Sequence, residues 1–445
     1  MPLKVVLKCH SVTLAALFAV AILFSSSFIL LSTNTASPTT IPTILDTGSS
    51  DDDFTAPELL WNYNTKSRAG NASPVLARGV LYFTSDDDYV YALNAASGTI
   101  LWKATYYHSF TAVGNGKIFV NDNRWMYALD ARSGDKIWEK YVIPGGGDRI
   151  TTSSVIANDI LYLGFESGLR ALDATTGDML WHYGLYGVVS SPLVVGDVVY
   201  VGAYNTVVAL DAHEGSEIWN YSVEVPSSDS RVSSVSSFAF DAGLLYFCAA
   251  DGGVYALEAD SGKKVWNYTY APDMSRFSAP SGPLLSDGLL YMGSDTGDVC
   301  ALNASDGTKL WNSVIGKSSL SVPAFYEGVL YFGSSDGNLY ALNATSGFKL
   351  WAYPLSAPLS QVPGGFVGGV GSPVVCDGVL FVVGGEGVFA LAVSSSFVLP
   401  SLPFYLPPFL VLLIVVVVVV VVVVCCVCFY LLRRRKRSNK RKVAL

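Results

Sequence analysis

One phrase recurs seven times between residues 92 and 351, and it constrains the fold more than any other feature of the sequence. It runs from Ala-Leu through a glycine to a tryptophan, as in ALNAASGTILW and ALDARSGDKIW. The tryptophans that end it are 36 to 47 residues apart, and they are Trp102, Trp138, Trp181, Trp219, Trp266, Trp311 and Trp351. A period of about 40 residues in a strand-rich pattern is typical of a β-propeller built from one blade per repeat.

The first and last repeats are incomplete in complementary ways. An eighth copy begins as VFALAV at residues 388–393 but reaches no tryptophan, whereas ELLWNY, with Trp61, matches only the end of the phrase. An N-terminal strand that completes the last blade would close the ring and remove its open sheet edge. We therefore predict an all-β, eight-bladed β-propeller over residues 58–393, closed by its N-terminal strand.

Each repeat also contains an earlier pair of strands, as in SPVLARGVLYF and SPLVVGDVVYV. Gly, Asp or Asn at the joint supplies the positive φ angles of a tight hairpin. Each blade is therefore predicted to have four antiparallel strands. We predict that Trp61 and the seven repeated tryptophans fill the gaps between neighbouring blades, because a large rigid side chain suits that position better than a ligand-binding array.

The phrase YALDAxTGxxxW resembles the repeat of the pyrroloquinoline-quinone-like β-propeller family over residues 58–393. The resemblance implies either a quinoprotein dehydrogenase or a non-catalytic propeller, such as the lipoprotein that supports outer-membrane protein assembly. The dehydrogenases typically hold a quinone, calcium, an aspartate base and often a disulfide between adjacent cysteines. Here the only adjacent pair, Cys425 and Cys426, lies in a long apolar run, and no haem motif is present. We therefore expect a non-catalytic protein without a cofactor, with a dehydrogenase that binds pyrroloquinoline quinone and calcium as the alternative.

The two ends of the chain predict a membrane protein. Lys4 and Lys8 precede an apolar stretch, and residues 409–432 carry no charge and would span about 36 Å as a helix, enough to cross a bilayer core of about 30 Å. The basic tail RRRKRSNKRK then places the C-terminus in the cytoplasm and the propeller outside. The predicted segments are a signal peptide or signal anchor at 1–35, a polar linker at 36–57, a proline-rich stalk at 394–408, a single transmembrane helix at 409–432 and a cytoplasmic tail at 433–445. Removal of the helix as a cell-surface sorting signal is an alternative.

Charge restricts the partners. Ten of the 28 Lys and Arg residues lie in the two flanks, so the middle has 36 acidic residues against 18 basic ones and a net charge of -18. Nucleic acid is therefore an unfavourable partner. Besides the lipid bilayer, we expect a protein, glycan or surface-layer partner for a binding or assembly scaffold, and a purely structural cell-surface protein is the other alternative. An outside location would expose five N-glycosylation sequons, at Asn71, Asn220, Asn267, Asn303 and Asn343.

A ligand-binding mouth is predicted where the outermost strand of one blade connects to the innermost strand of the next. These connections vary most in length, and a basic or polar residue recurs before the innermost strand. The predicted mouth residues are Arg68, His108, Arg149, Tyr186, Arg231, Arg276, Lys317 and Gln361. Together they could hold an anionic peptide or glycan. Alternatively, the arginines pair with the nearby Asp148, Asp229 and Asp273 and only stiffen the loops.

No metal site is expected from the sequence. The aspartates at 51–53 and at 86–88 lack the spacing of a calcium loop, and the second group is better explained as a turn. Cys248, Cys300 and Cys376 lie in strand-like apolar runs and are predicted to be buried free thiols.

Overall fold

The protein folds into eight four-stranded antiparallel sheets, which confirms the predicted all-β, eight-bladed propeller. The structure is a computed structural model. It describes residues 56–65, 73–106, 112–122, 124–142, 148–188, 190–224, 235–249, 251–269, 281–316, 320–355, 370–385 and 387–393.

Seven blades consist of four consecutive strands. Blade 1 contains β2 (Val75–Ala77), β3 (Val80–Ser85), β4 (Tyr89–Asn94) and β5 (Ile100–Thr105), and blade 2 contains β6 (Ala112–Gly114), β7 (Lys117–Asp122), β8 (Trp125–Asp130) and β9 (Lys136–Tyr141). Blade 3 contains β10 (Val155–Ala157), β11 (Ile160–Phe165), β12 (Gly168–Asp173) and β13 (Met179–Gly184), and blade 4 contains β14 (Leu193–Val195), β15 (Val198–Ala203), β16 (Thr206–Asp211) and β17 (Glu217–Ser222). Blade 5 contains β18 (Val235–Asp241), β19 (Leu244–Ala249), β20 (Gly253–Glu258) and β21 (Lys264–Thr269). Blade 6 contains β22 (Leu284–Ser286), β23 (Leu289–Gly293), β24 (Asp298–Asn303) and β25 (Lys309–Val314). Blade 7 contains β26 (Ala324–Tyr326), β27 (Val329–Gly333), β28 (Asn338–Asn343) and β29 (Lys349–Pro354).

The eighth blade combines strands from both ends of the propeller sequence. It contains β30 (Val374–Cys376), β31 (Val379–Gly384), β32 (Gly387–Ala392) and, at its outer edge, β1 (Glu58–Asn64). β1 runs antiparallel to β32, with Glu58 opposite Ala392. The N-terminal strand therefore supplies the fourth strand that the last repeat lacks.

The strand order gives the propeller two different ends. The first strand of each blade lies innermost, because the first strands of neighbouring blades contact each other, as β2 does β6 and β10 does β14. One end, which we call the connection face, carries the turns between second and third strands and the connections from outer to inner strands. The other end, the turn face, carries the turns between first and second strands and between third and fourth strands.

The hairpins between first and second strands have the backbone that their sequences predict. In blade 1, Arg78 and Gly79 have φ angles of 51° and 75°. In blade 8, the corresponding Asp377 and Gly378 have φ angles of 50° and 74°. Two consecutive positive φ angles are characteristic of the type I′ turn, whose twist matches that of the flanking strands.

The hydrophobic core lies between the blades. Eight clusters of buried side chains each join two neighbouring blades. One of them combines Phe83 and Leu93 of blade 1 with Phe381 and Val388 of blade 8. The side chains that alternate along the middle strands therefore pack on both sides of each sheet, as a sheet covered on both faces requires.

The repeated tryptophans lie at these blade interfaces. Trp102 Nε1 donates a hydrogen bond of 3.1 Å to the carbonyl of Ala131 in the next blade, and the hydroxyl of Tyr82 donates to the same oxygen at 2.9 Å. Seven tryptophans bond in this way, namely Trp61 to Ala95, Trp102 to Ala131, Trp138 to Ala174, Trp181 to Ala212, Trp219 to Ala259, Trp266 to Ala304 and Trp311 to Ala344. Trp351 packs in the cluster between blades 7 and 8.

The glycine of the repeat phrase has a packing role that the sequence pattern alone does not reveal. Gly98 has a φ angle of 67°, and a Cβ atom placed there would lie 2.6 Å from the indole of Trp61. A larger residue would therefore clash with the tryptophan of the preceding blade and strain its own backbone.

Candidate functional site

The structure describes two of the eight predicted mouth residues, Arg149 and Tyr186, and both are exposed on the connection face. The other six lie outside the described residues, and they are Arg68, His108, Arg231, Arg276, Lys317 and Gln361.

A row of backbone hydrogen bonds brings these two residues into one local structure. The N–H of Glu166 donates to the Arg149 carbonyl at 3.0 Å, and the Gly187 N–H donates to the Glu166 carbonyl at 2.7 Å. The N–H of Tyr204 in turn donates to the Gly187 carbonyl at 3.2 Å. The row runs from the inner edge of blade 3 into blade 4, so Arg149 and Tyr186 belong to the same surface.

Two tyrosines form an aromatic pair on this surface. Tyr186 is 73% exposed, and its ring centroid lies 5.8 Å from that of Tyr204 with the planes tilted by 39°. Tyr204 has a φ angle of 45°, a left-handed conformation that is costly for a bulky residue, and its ring lies against the backbone of Gly187. The pair presents an exposed apolar ring with a hydroxyl, as aromatic contact residues of binding surfaces do.

Sequence reasoning did not identify Tyr204. Its signal is a departure from the pattern, because the turn between second and third strands is Tyr-Asn in blade 4 but contains Asp or Glu in blades such as 1, 3, 5 and 7. We define the Tyr platform as Arg149, Glu166, Tyr186 and Tyr204.

Asp148 does not neutralise Arg149. Its carboxylate pairs with Arg170 at 2.9 Å, with side chains only 15% and 9% exposed, and accepts a hydrogen bond of 2.6 Å from the Ser167 hydroxyl. This geometry corrects the pairing expected for Asp148, because the buried arginine of blade 3 occupies the carboxylate. Among the described residues, the exposed Arg149 guanidinium has no ion-pair partner.

Arg170 is held from three sides. Its guanidinium also donates to the carbonyl of Val142 in blade 2 and lies 4.0 Å from the centroid of the Phe165 ring. Burial, followed by the positive charge of Arg170, lowers the pKa of His182. The cation therefore links blade 3 to the connection that precedes it, a role that the repeat pattern gave no reason to expect.

Other carboxylates of the connection face bind tyrosine hydroxyls. The Tyr91 hydroxyl donates to Asp87 at 2.5 Å, and the Tyr340 hydroxyl donates to Asp336 at 2.8 Å. Burial, helped by the hydrogen bond to Asp336, raises the pKa of Tyr340 to about 12. The acidic cluster at 86–88 thus includes a turn carboxylate that is already engaged.

Within the described ranges, no group of three His, Cys, Asp or Glu side chains could hold a metal ion. Cys248 and Cys300 are buried free thiols, and burial raises the pKa of both to about 12. Cys376 is also free but exposed, so its predicted burial is wrong; it ends the short β30 beside a turn. The adjacent pair at 425 and 426 lies outside the described residues.

The sequons differ in accessibility. Asn220 and Asn267 are exposed on the outer strands β17 and β21. By contrast, the side-chain oxygens of Asn303 and Asn343 accept backbone N–H bonds, of 2.8 and 3.0 Å, within turns of the turn face. Asn71 lies outside the described residues.

A search of the described part of the chain finds no helix with the length and apolar character needed to traverse a membrane. The predicted signal segment and the predicted span at 409–432 lie outside that part.

The fold and the repeated blade phrase define a repeat-built β-propeller. The sequence profile of the family described as outer membrane protein assembly factor BamB matches residues 53–204, 185–322 and 236–399. The chain therefore belongs to this family of pyrroloquinoline-quinone-like repeat propellers, which confirms the resemblance seen in the sequence. No curated protein gives a significant sequence match.

Solved structures share the architecture at low identity. BamB from Moraxella catarrhalis is 16% identical, with a TM-score of 0.62 over 76% of this chain and 99% of that chain. The computationally designed Ika8 protein is 15% identical, with a TM-score of 0.60 over 74% of this chain and 98% of its own. Quinohemoprotein alcohol dehydrogenase from Comamonas testosteroni is 16% identical, with a TM-score of 0.61 over 77% of each chain. At this identity the likeness shows the fold alone, and the fold is shared by a dehydrogenase.

Proposed function

We propose that this protein is a non-catalytic binding or assembly scaffold, anchored in a membrane and using the connection face to bind its partner. The observation that carries the proposal is the Tyr platform, in which the exposed Arg149 and the exposed Tyr186, paired with the half-buried Tyr204, share one surface while Asp148 is bound to Arg170. The family description, an outer membrane protein assembly factor, supports a role in binding. No cofactor is required for this function.

Arg149 and Tyr186 of the platform favour a partner group that is anionic and also offers an apolar or ring surface. Arg149 supplies a positive charge in a strongly acidic domain, and Tyr186 supplies a flat surface for stacking. An acidic peptide or an anionic glycan combines both properties. Arginine and tyrosine are also the residues that most often dominate the energetics of protein interfaces.

Replacing Arg149, Arg231 and Arg276 together by alanine is expected to abolish partner binding, because the change removes three positive charges of the predicted mouth. A melting temperature equal to that of the wild type would show that the fold is intact. The measurement is chemical cross-linking in native membranes, followed by quantitative recovery of partners with the full chain. A matched control replaces Lys263, Lys264 and Lys309 of the turn face by alanine, which changes the net charge equally. Equal recovery of the same partner by wild type, mouth variant and control would eliminate the proposed surface.

We also propose that the span at 409–432 anchors the chain with the propeller outside and the C-terminus in the cytoplasm, as the basic tail indicates. Protease added to intact cells is expected to digest the propeller and to spare a tag placed after Leu445. Permeabilised cells, in which the tag is also lost, are the control. A propeller that survives in intact cells while the tag is cleaved would show the opposite orientation.

We further propose that β1 closes the propeller ring. Its pairing with β32 and the cluster shared by blades 8 and 1 support this closure.

A further inference from the structure

Each outer strand carries an apolar residue directly before its tryptophan, near the turn face. In blade 1, Trp102 pairs with Ala92 but Ile100 pairs with Leu93, so Leu101 is the extra residue of a β-bulge. Ile100 and Leu101 are 43% and 50% exposed. The same irregularity precedes the tryptophan of the other outer strands. Every blade therefore presents an aliphatic residue at its outer rim.

The outer rims of three neighbouring blades differ from the other rims in charge, although the turns between first and second strands of blades 7 and 8 carry the exposed Glu327 and Asp377. In blades 2 to 6, every outer strand, together with the turn before it, contains at least one carboxylate, such as Asp178 in blade 3 and Asp306 in blade 6. Among the described residues, the corresponding segments of blades 7, 8 and 1 contain one carboxylate, Glu58. We define the apolar sector by its exposed side chains, Phe348 of blade 7, Leu59 of blade 8, and Ile100 and Leu101 of blade 1. Phe348 is 70% exposed.

The chain enters and leaves the propeller in the middle of this sector. Glu58, the first residue of β1, lies opposite Ala392, the last residue of β32, at the turn face of blade 8. Residues 394–408 then lead to the uncharged stretch at 409–432. A linker of 15 residues reaches about 50 Å at most when fully extended. The apolar sector therefore stays close to wherever that stretch is inserted.

We propose that the apolar sector docks on the surface of the lipid bilayer that holds residues 409–432; this inference rests on the proposed anchoring. Aliphatic and phenylalanine side chains lose unfavourable contact with water when they enter the boundary between headgroups and acyl chains. Because the outer rim of the sector has few carboxylates, docking there brings little negative charge to the membrane surface. Lys349, exposed in the same sector, lies where it meets anionic headgroups. Docking on this side points the connection face, with the Tyr platform, away from the membrane.

Photo-crosslinking tests this contact. The full chain is reconstituted in vesicles of phosphatidylcholine and phosphatidylglycerol, with benzoylphenylalanine in place of Phe348 or of Leu101. The matched control carries it in place of Ile218, which is 48% exposed and occupies in blade 4 the position that Leu101 occupies in blade 1. We expect lipid adducts at 348 and 101, detected by mass spectrometry, at least fivefold above those at 218. Equal adducts at all three positions, no lipid adduct, or adducts to a second copy of the chain would overturn the proposal.

Alkaline carbonate extraction separates this proposal from the anchoring on which it rests. A chain that stays in the membrane pellet but forms no lipid adduct at 348 is anchored without docking, so only the docking fails. A chain that is extracted into the supernatant refutes the anchoring and the docking together. Unchanged melting temperatures of the labelled variants show that the propeller is intact.

Discussion

Trp61→Ala is expected to destabilise the propeller by about 3 kcal/mol, and deletion of residues 58–65 by more. The indole bonds to the Ala95 carbonyl at 3.0 Å and lies 6.0 Å from the Phe381 ring, so its removal leaves a cavity between blades 8 and 1. The deletion also exposes the edge of β32, which is then free to pair with another chain. Denaturant unfolding of the full chain in detergent measures the first effect, and light scattering measures the second.

Trp125→Ala is the matched control for this prediction. Trp125 is the one tryptophan outside the repeat, is 40% exposed and contacts Tyr141 edge to face at 5.3 Å without joining two blades. Its loss is expected to cost less than about 1 kcal/mol. Equal stabilities for the two substitutions, or a deletion variant with unchanged melting temperature and oligomeric state, would show that β1 does not close the ring.

Asp148→Ala is expected to cost about 3–5 kcal/mol, because it leaves the guanidinium of Arg170 buried without its counter-charge. Adding Arg170→Met, which removes that charge, is expected to restore a large part of the lost stability. The four proteins of this double-mutant cycle, compared by urea unfolding, give the coupling free energy directly. A double variant whose loss of stability equals the sum of the losses of the two single variants would mean that the pair is not coupled.

The exposed pair of Lys136 and Glu139 provides the comparison. Its atoms are as close, at 2.6 Å, but the side chains are 48% and 46% exposed. Water screens such a pair, so Glu139→Ala is expected to change stability far less than Asp148→Ala does. If Glu139→Ala cost as much stability as Asp148→Ala, burial would not be the reason for the strength of the pair formed by Asp148 and Arg170.

The architecture was predictable because its determinants repeat. The spacing of the tryptophans gave the blade number, and the unmatched Trp61 predicted that the N-terminal strand belongs to the last blade, where β1 is found. Periodicity reports what all blades share, such as the packing of the indole against the next blade. The pattern repeats because every interface between neighbouring blades has the same geometry and is filled by the same kinds of side chain.

The candidate site was less predictable because it consists of departures from the repeat. Arg170 replaces the tyrosine that blades 1, 2, 5 and 7 have at this position, and its partner Asp148 is 22 residues earlier in a variable connection. Likewise, blade 4 alone has a tyrosine, Tyr204, at this position of the turn between its second and third strands. A single sequence offers no rule that pairs such isolated residues, since the contacts depend on how the connections fold over the blade ends.

The split blade also sets a timing problem for biosynthesis. β1 leaves the ribosome before any other strand of the propeller, whereas its partner β32 is made more than 300 residues later. At about 5–20 residues per second, β1 waits for roughly 15–70 s with its hydrogen-bonding edge unmatched. The hydrogen bond from the Trp61 indole to the Ala95 carbonyl offers β1 a contact during this time, because blade 1 is the next unit to emerge and can bind β1 before β32 is made. The first strand of the nascent chain is then in place when the last repeat arrives.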